Sequence, residues 1–201
     1  MTAEDLRELD RTAVLATMKT AEHVTPDLLT RPTPCAGWTV GDLLAHMAAQ
    51  HRGFAAAARG TGGDLAHWQP KAPGPHTREE YIESATEVLN AFAPADVPER
   101  TFALPEFGPD VTVPGQQAVG FHLVDYVVHG WDLARALDVD YELDEACAEP
   151  VLRIVGQIPD GPERERPEAA FAHALPETGT GSALDRILRM LGRSPNWPES
   201  D

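Results

Sequence analysis

Residues 121–133 read Phe121-His122-Leu123-Val124-Asp125-Tyr126-Val127-Val128-His129-Gly130-Trp131-Asp132-Leu133, and the spacing of their four polar residues decides the fold. His122, Asp125, His129 and Asp132 stand three, four and three residues apart. A helix puts all four on one face, whereas a strand would divide them between two. The segment lies inside the longest apolar run of the chain, 118–137, and a helix apolar all round is a buried helix. Its polar stripe therefore faces protein rather than open water. Two titratable groups four residues apart on such a face can grip one ion, the device by which histidines at i and i+4 hold zinc.

A partner for that stripe comes from Asp42-Leu43-Leu44-Ala45-His46-Met47-Ala48, where His46 is flanked by apolar residues. A neutral imidazole is a good ligand for zinc, nickel or iron. One ligand from a second helix would complete a three-residue site, His46 with Asp125 and His129, that keeps coordination positions open as catalytic sites do. Spacing alone leaves other readings standing: His46 as a satisfied core histidine, and Asp125–His129 as a local hydrogen bond or weak ion pair.

Outward from these two segments, helical periodicity dominates. Leu6, Leu9, Val14, Leu15, Met18 and Ala21 predict a first helix over 3–23. Thr39 and Asp42 form a capping-box pattern that opens the second helix, which runs to 59 and stops at Gly60-Thr61-Gly62-Gly63. Thr77 and Glu80 repeat the pattern before a third helix to 92. Residues 100–104 and 111–113 alternate as a short hairpin, and Pro114 opens the fourth helix. A fifth helix is expected over 144–158, kinked or started by Pro150, with an exposed polar stretch at 163–168 and a last helix over 182–191. The expected fold is all-α: an antiparallel four-helix bundle with a short extended hairpin and additional C-terminal helices, one domain over 1–201 with its bundle core at 1–140 and an extension at 141–201.

Charge removes several classes of partner. Thirty-two acidic residues against 16 basic ones leave a formal net charge of −16. Nucleic-acid binders need clustered cations to displace counterions, and an anionic membrane surface would repel this chain. Neither nucleic acid nor membrane is expected as a partner; a small-molecule substrate is. With no apolar signal core at the start, no span of ~20 apolar residues and two cysteines outside any spaced framework, a cytoplasmic protein is expected. Cys35 precedes a helix start, where a thiol can become reactive, although a cysteine is more commonly a small buried hydrophobe. Trp38 and Trp131 read as core or pocket wall, and His51 and Arg52 as a solvated helix face or the mouth of a site.

Two strings carry a family resemblance. Thr33-Pro34-Cys35-Ala36-Gly37-Trp38-Thr39-Val40-Gly41-Asp42-Leu43-Leu44-Ala45-His46 resembles the entry to the second helix in the DinB-like superfamily, and more narrowly the metal-binding domain of mycothiol-dependent maleylpyruvate isomerase. Val128-His129-Gly130-Trp131-Asp132-Leu133-Ala134-Arg135-Ala136 is similar to the second signature of that family, and 184–193 resembles the ending of a subgroup. The resemblance implies a helical bundle holding a divalent metal, zinc first, through one histidine of the second helix and two residues four apart on a later one. His46 and His129 carry over directly. Asp125 falls where relatives have glutamate or histidine and is one methylene shorter than glutamate, so His122, a turn earlier, is the substitute ligand. Asp132 is expected to fix the tautomer of a ligand histidine, and Arg135 to bind a carboxylate of cofactor or substrate or to pair with Asp132. The implied chemistry is metal-activated attack by a thiol, mycothiol, on a small electrophile, in a transferase or isomerase acting as monomer or homodimer. The alternative is a non-catalytic metal or small-ligand binding bundle. No catalytic side chain is singled out.

Overall fold

The computed structural model describes residues 3–141, 143–166, 169–177, 179 and 181–198. Among these the chain is mostly helical: α1 (Ala3–Ala21), α2 (Val40–Ala58), α3 (Thr77–Phe92), α4 (Gly115–Leu137), α5 (Glu145–Val155) and α6 (Ala183–Met190). The strands β1 (Thr101–Ala103) and β2 (Thr112–Pro114) pair antiparallel, with Phe102 opposite Val113. No helix among the described residues is long and apolar enough to cross a membrane. The chain divides into two compact units, Met1–Tyr141 and Glu142–Asp201.

In the first unit α1 packs on α4, α2 packs on α3 and α4, and α1 also meets α3. Each helix offers an apolar stripe at helical spacing. On α1 the buried positions include Leu6, Asp10, Ala13, Val14, Thr17, Thr20 and Ala21, and the long apolar α2 and α4 are buried along most of their length. Fully buried leucines such as Leu43, Leu44, Leu123 and Leu133 each contribute about 1.5–3 kcal/mol by leaving water. The approach of α1 to α4 is close enough to require glycine at 130: a Cβ there would stand 2.6 Å from Thr17 Oγ1. Thr17 Oγ1 is meanwhile hydrogen-bonded to the carbonyls of Ala13 and Tyr126. Phe102 drives the hairpin inward, its ring fully buried and 6.1 Å from that of Phe92.

The helix starts differ in how they are held. At α2, Thr39 accepts from the amide of Asp42 while Asp42 accepts from that of Thr39, a complete capping box. At α3 the expected box does not form. Thr77 is the first helical residue and its hydroxyl accepts the Gly74 amide at 2.7 Å, so it ties down the preceding turn and leaves the helix start to His76.

In the second unit α5 packs on α6. Pro150 sits inside α5, which begins at Glu145 behind an Asp144 cap and ends at Val155, short of the expected 158. Ser182 and Asp185 form the capping box of α6. The stretch 163–168, expected to be exposed, holds a buried arginine; its residues 167 and 168 lie outside the described residues. The Arg164 guanidinium donates to the carbonyls of Pro159, Ala172 and Met190 at 2.7–2.9 Å. Carbonyl acceptors, with the Asp160 carboxylate 3.6 Å from Nε, are what permit this cation to be buried.

Candidate metal centre

The turn before α2 prepares one wall of the site. Thr33 and Trp38 are linked by the Thr33 amide and hydroxyl, both donating to the Trp38 carbonyl, and the Trp38 amide closes back on Cys35. Gly37 at φ +80° lies in the left-handed region at the tip, a conformation that glycine adopts without the steric cost a Cβ brings. This turn holds the Trp38 ring 4.8 Å from that of His46 and 6.4 Å from that of His129.

Two turns into α2, His46 meets Asp125 and His129 of α4. One ligand-type atom from each of the three lies within 4.8 Å of the others. The imidazoles of His46 and His129 stand edge to face at 5.3 Å, and His129 Nε2 is 3.3 Å from Asp125 Oδ1. His129 is nearly buried, whereas the Asp125 side chain is 23 % exposed and His46 is half-buried, so the cluster opens toward solvent on one side. Asp125 Oδ2 is buried and has no hydrogen-bond partner among the described residues.

Behind His129 lies a second carboxylate. Asp132, fully buried, accepts from His129 Nδ1 at 2.9 Å and from the Cys35 thiol at 3.1 Å. Asp132 on Nδ1 leaves Nε2 as the nitrogen turned to Asp125 and His46. Burial works against a proton on this ring, but Asp125, Asp132 and Cys35 together outweigh it and push His129 up to about 10. Cys35, His129 and Asp132 also form a cluster of metal-ligand type. The Asp132–His129 contact is the arrangement by which a carboxylate orients a ligating histidine from outside.

His122 is not brought to this cluster. It is fully buried, with Nδ1 2.6 Å from Asp10 Oδ1 of α1 and Nε2 3.1 Å from His51 Nδ1 of α2. His51, which the sequence suggests is solvated, is likewise fully buried and stacked on Tyr126 at 4.0 Å. Burial, with His122 and Arg52 nearby, holds His51 well below its usual range, and burial raises Asp10 against the pull of His122. Arg135 lies exposed in the last turn of α4.

Sequence reasoning missed Asp10 and Glu106, and read Cys35 only as a thiol before a helix start, without its partners. Asp10 carried a signal, a carboxylate on the apolar stripe of α1. Cys35 carried little, because its loop had no period to orient it. Glu106, on the turn Pro105–Phe107 between the strands, carried none. It accepts from Gln50 Nε2 at 2.9 Å, one turn beyond His46, and burial, with Asp125 adding to it, raises its carboxyl.

Residues 11–134 match the family described as "Mycothiol maleylpyruvate isomerase N-terminal domain". The chain belongs to that family. Among curated proteins it is 29% identical over 177 residues to "Uncharacterized protein MT0763" of Mycobacterium tuberculosis strain CDC 1551 / Oshkosh, covering 86% of this chain and 88% of the relative. The same figures hold for "Uncharacterized protein Rv0738" of strain ATCC 25618 / H37Rv. Among solved structures, a histidine-to-alanine mutant of the mycothiol-dependent maleylpyruvate isomerase aligns with a TM-score of 0.57 and 14% identity, over 77% of this chain and 68% of that one. At that identity the likeness speaks for the fold alone. The mostly helical architecture is thus shared with that structure.

Proposed function

We propose that this family member is a metal-dependent enzyme of the mycothiol-using transferase or isomerase type, with one divalent ion held by His46, Asp125 and His129. The observation that carries it is Asp125: a buried carboxylate oxygen with no hydrogen-bond partner among the described residues, beside two imidazoles whose ligand atoms lie within 4.8 Å of its own. A buried acceptor left unpaired costs about 1–3 kcal/mol, a cost that a cation would relieve. Two nitrogens and one carboxylate suit zinc first, and nickel or iron as well. The first unit is then an antiparallel four-helix bundle of the DinB-like kind within a single functional domain, and the protein a cytoplasmic monomer or homodimer.

A bound divalent ion of this kind favours the thiolate form of a thiol beside an electrophile. The residues of the chain do the rest. Asp132 holds the His129 ring in place through Nδ1, and Trp38 covers the two imidazoles from the side of the turn. Glu106, its carboxyl raised by burial, stands one helical turn from His46 by way of Gln50. Arg135 is the candidate for a carboxylate of the cofactor. The reaction class inferred is attack of the mycothiol thiolate on a small electrophile, by addition or with displacement of a leaving group such as chloride, and not the maleylpyruvate reaction itself.

The test is consumption of mycothiol with a generic electrophile, chlorodinitrobenzene, by the zinc-loaded chain. The reading expects a rate above that of protein-free solution, abolished by chelator and by His46→Ala. A zinc-loaded protein that leaves the solution rate unchanged supports the non-catalytic binding bundle instead.

A further inference from the structure

The carboxylate that orients His129 is shared with a thiol from a different part of the chain. Asp132 Oδ2 receives His129 Nδ1 at 2.9 Å and Cys35 Sγ at 3.1 Å, and Sγ is itself 3.8 Å from Nδ1. These contacts close a triangle on the side of the imidazole opposite Nε2, which faces Asp125. His129 and Asp132 sit three residues apart on α4, whereas Cys35 arrives from the turn that leads into α2. The last torsion of a carboxylate is soft, with broad wells. A bond from a neighbour on the same helix constrains that torsion along one direction only.

A donor from a separate segment holds the carboxylate from another direction, and Cys35 is well placed to supply it. Its amide donates to Thr33 Oγ1 at 3.2 Å and its carbonyl accepts the Trp38 amide at 3.0 Å, so its backbone is fixed on both sides. Thiol chemistry also suits the position. An S–H is a weak donor, so it can steady the carboxylate without drawing its charge away from the imidazole. The contact further ties the segment entering α2, which carries His46, to α4, which carries Asp125 and His129.

We propose that Cys35 is a positioning residue of the metal centre: its S–H holds the Asp132 carboxylate in line with His129 Nδ1 and thereby fixes the direction of the His129 Nε2 lone pair. The inference rests on the reading of His46, Asp125 and His129 as ligands.

The test titrates the chelator-stripped full chain with Co²⁺, measuring affinity by competition with a chromophoric chelator and recording the ligand-field absorption. Melting of the metal-free protein is followed alongside. Cys35→Val keeps the shape and removes the donor; Cys35→Ala is a second non-donor variant should the valine fail to fold; Cys35→Ser keeps a donor. The expected result is about a tenfold loss of Co²⁺ affinity with an altered spectrum in the non-donor variants, and a serine variant within about threefold of the parent with the parent spectrum. Non-donor variants that match the parent in affinity and spectrum overturn the proposal. So do equal losses in all variants, since packing alone then explains them. A parent chain that binds no Co²⁺ removes the ligand reading, and this inference with it; a parent that binds while the valine and alanine variants bind equally well removes this inference alone.

Discussion

His129 Nδ1 lies 2.9 Å from Asp132 Oδ2, while Nε2 of the same ring lies 3.3 Å from Asp125 Oδ1. One imidazole therefore stands between two carboxylates of its own helix, one buried and one partly open to solvent. The inner carboxylate commits one nitrogen to the protein, and the outer one shares the other nitrogen with whatever binds at the opening.

The inner contact sets the first prediction. Asp132→Asn keeps an acceptor near Nδ1 but removes the charge that strengthens His129 as a ligand. Zinc affinity is expected to fall about 10–100-fold, the usual effect of losing such an outer partner, with the circular dichroism of the helices unchanged. Competition titration with a zinc chelator reads it.

The charge on His129 sets a second. In the metal-free protein this ring holds its proton up to about 10, above its ordinary 6.5. A raised folded value gives stability that is complete below the unfolded value and lost as pH rises through about 10. The stability advantage of metal-free parent over His129→Gln should therefore shrink between neutral pH and about 10, measured by thermal melts. A metal displaces that proton, so zinc affinity should move the other way, rising about tenfold per pH unit below the same value.

His122 supplies a third. Its ring bridges Asp10 and His51 inside the first unit, so His122→Leu strands two buried polar groups. Unfolding free energy should drop by about 1–3 kcal/mol for each, read by urea denaturation, while zinc affinity stays at the parent level. Loss of zinc binding with little loss of stability would make His122 a ligand after all.

The contrast between His122 and His129 shows what a sequence carries. Both lie on one face of one helix, and the three-four-three spacing treats them alike. Their fates part only because Asp10 of α1 and His51 of α2 arrive beside the first, an encounter between positions 112 and 71 residues apart. The helices themselves were legible, since a 3.6-residue period is local, and so was the Thr39–Asp42 cap. Thr77 looked the same as Thr39 but spends its hydroxyl on Gly74, a choice made by the preceding turn. The burial of Arg164 was illegible for a related reason: beside Asp160, four residues earlier, it is backbone carbonyls that take most of its donors, and carbonyls leave no mark in a sequence. Placement of His46 beside α4 was suggested by its apolar flanks and strengthened by the resemblance, because nothing in the spacing of one helix specifies which neighbour it meets.

The most direct measurement is elemental analysis of the protein purified without a metal-affinity tag, beside its His46→Ala variant. The account predicts near-stoichiometric zinc, nickel or iron in the parent and its loss in the variant, with melting of the stripped parent rising when the metal is restored. A parent that carries no metal, and whose melting temperature ignores added divalent ions, would contradict it.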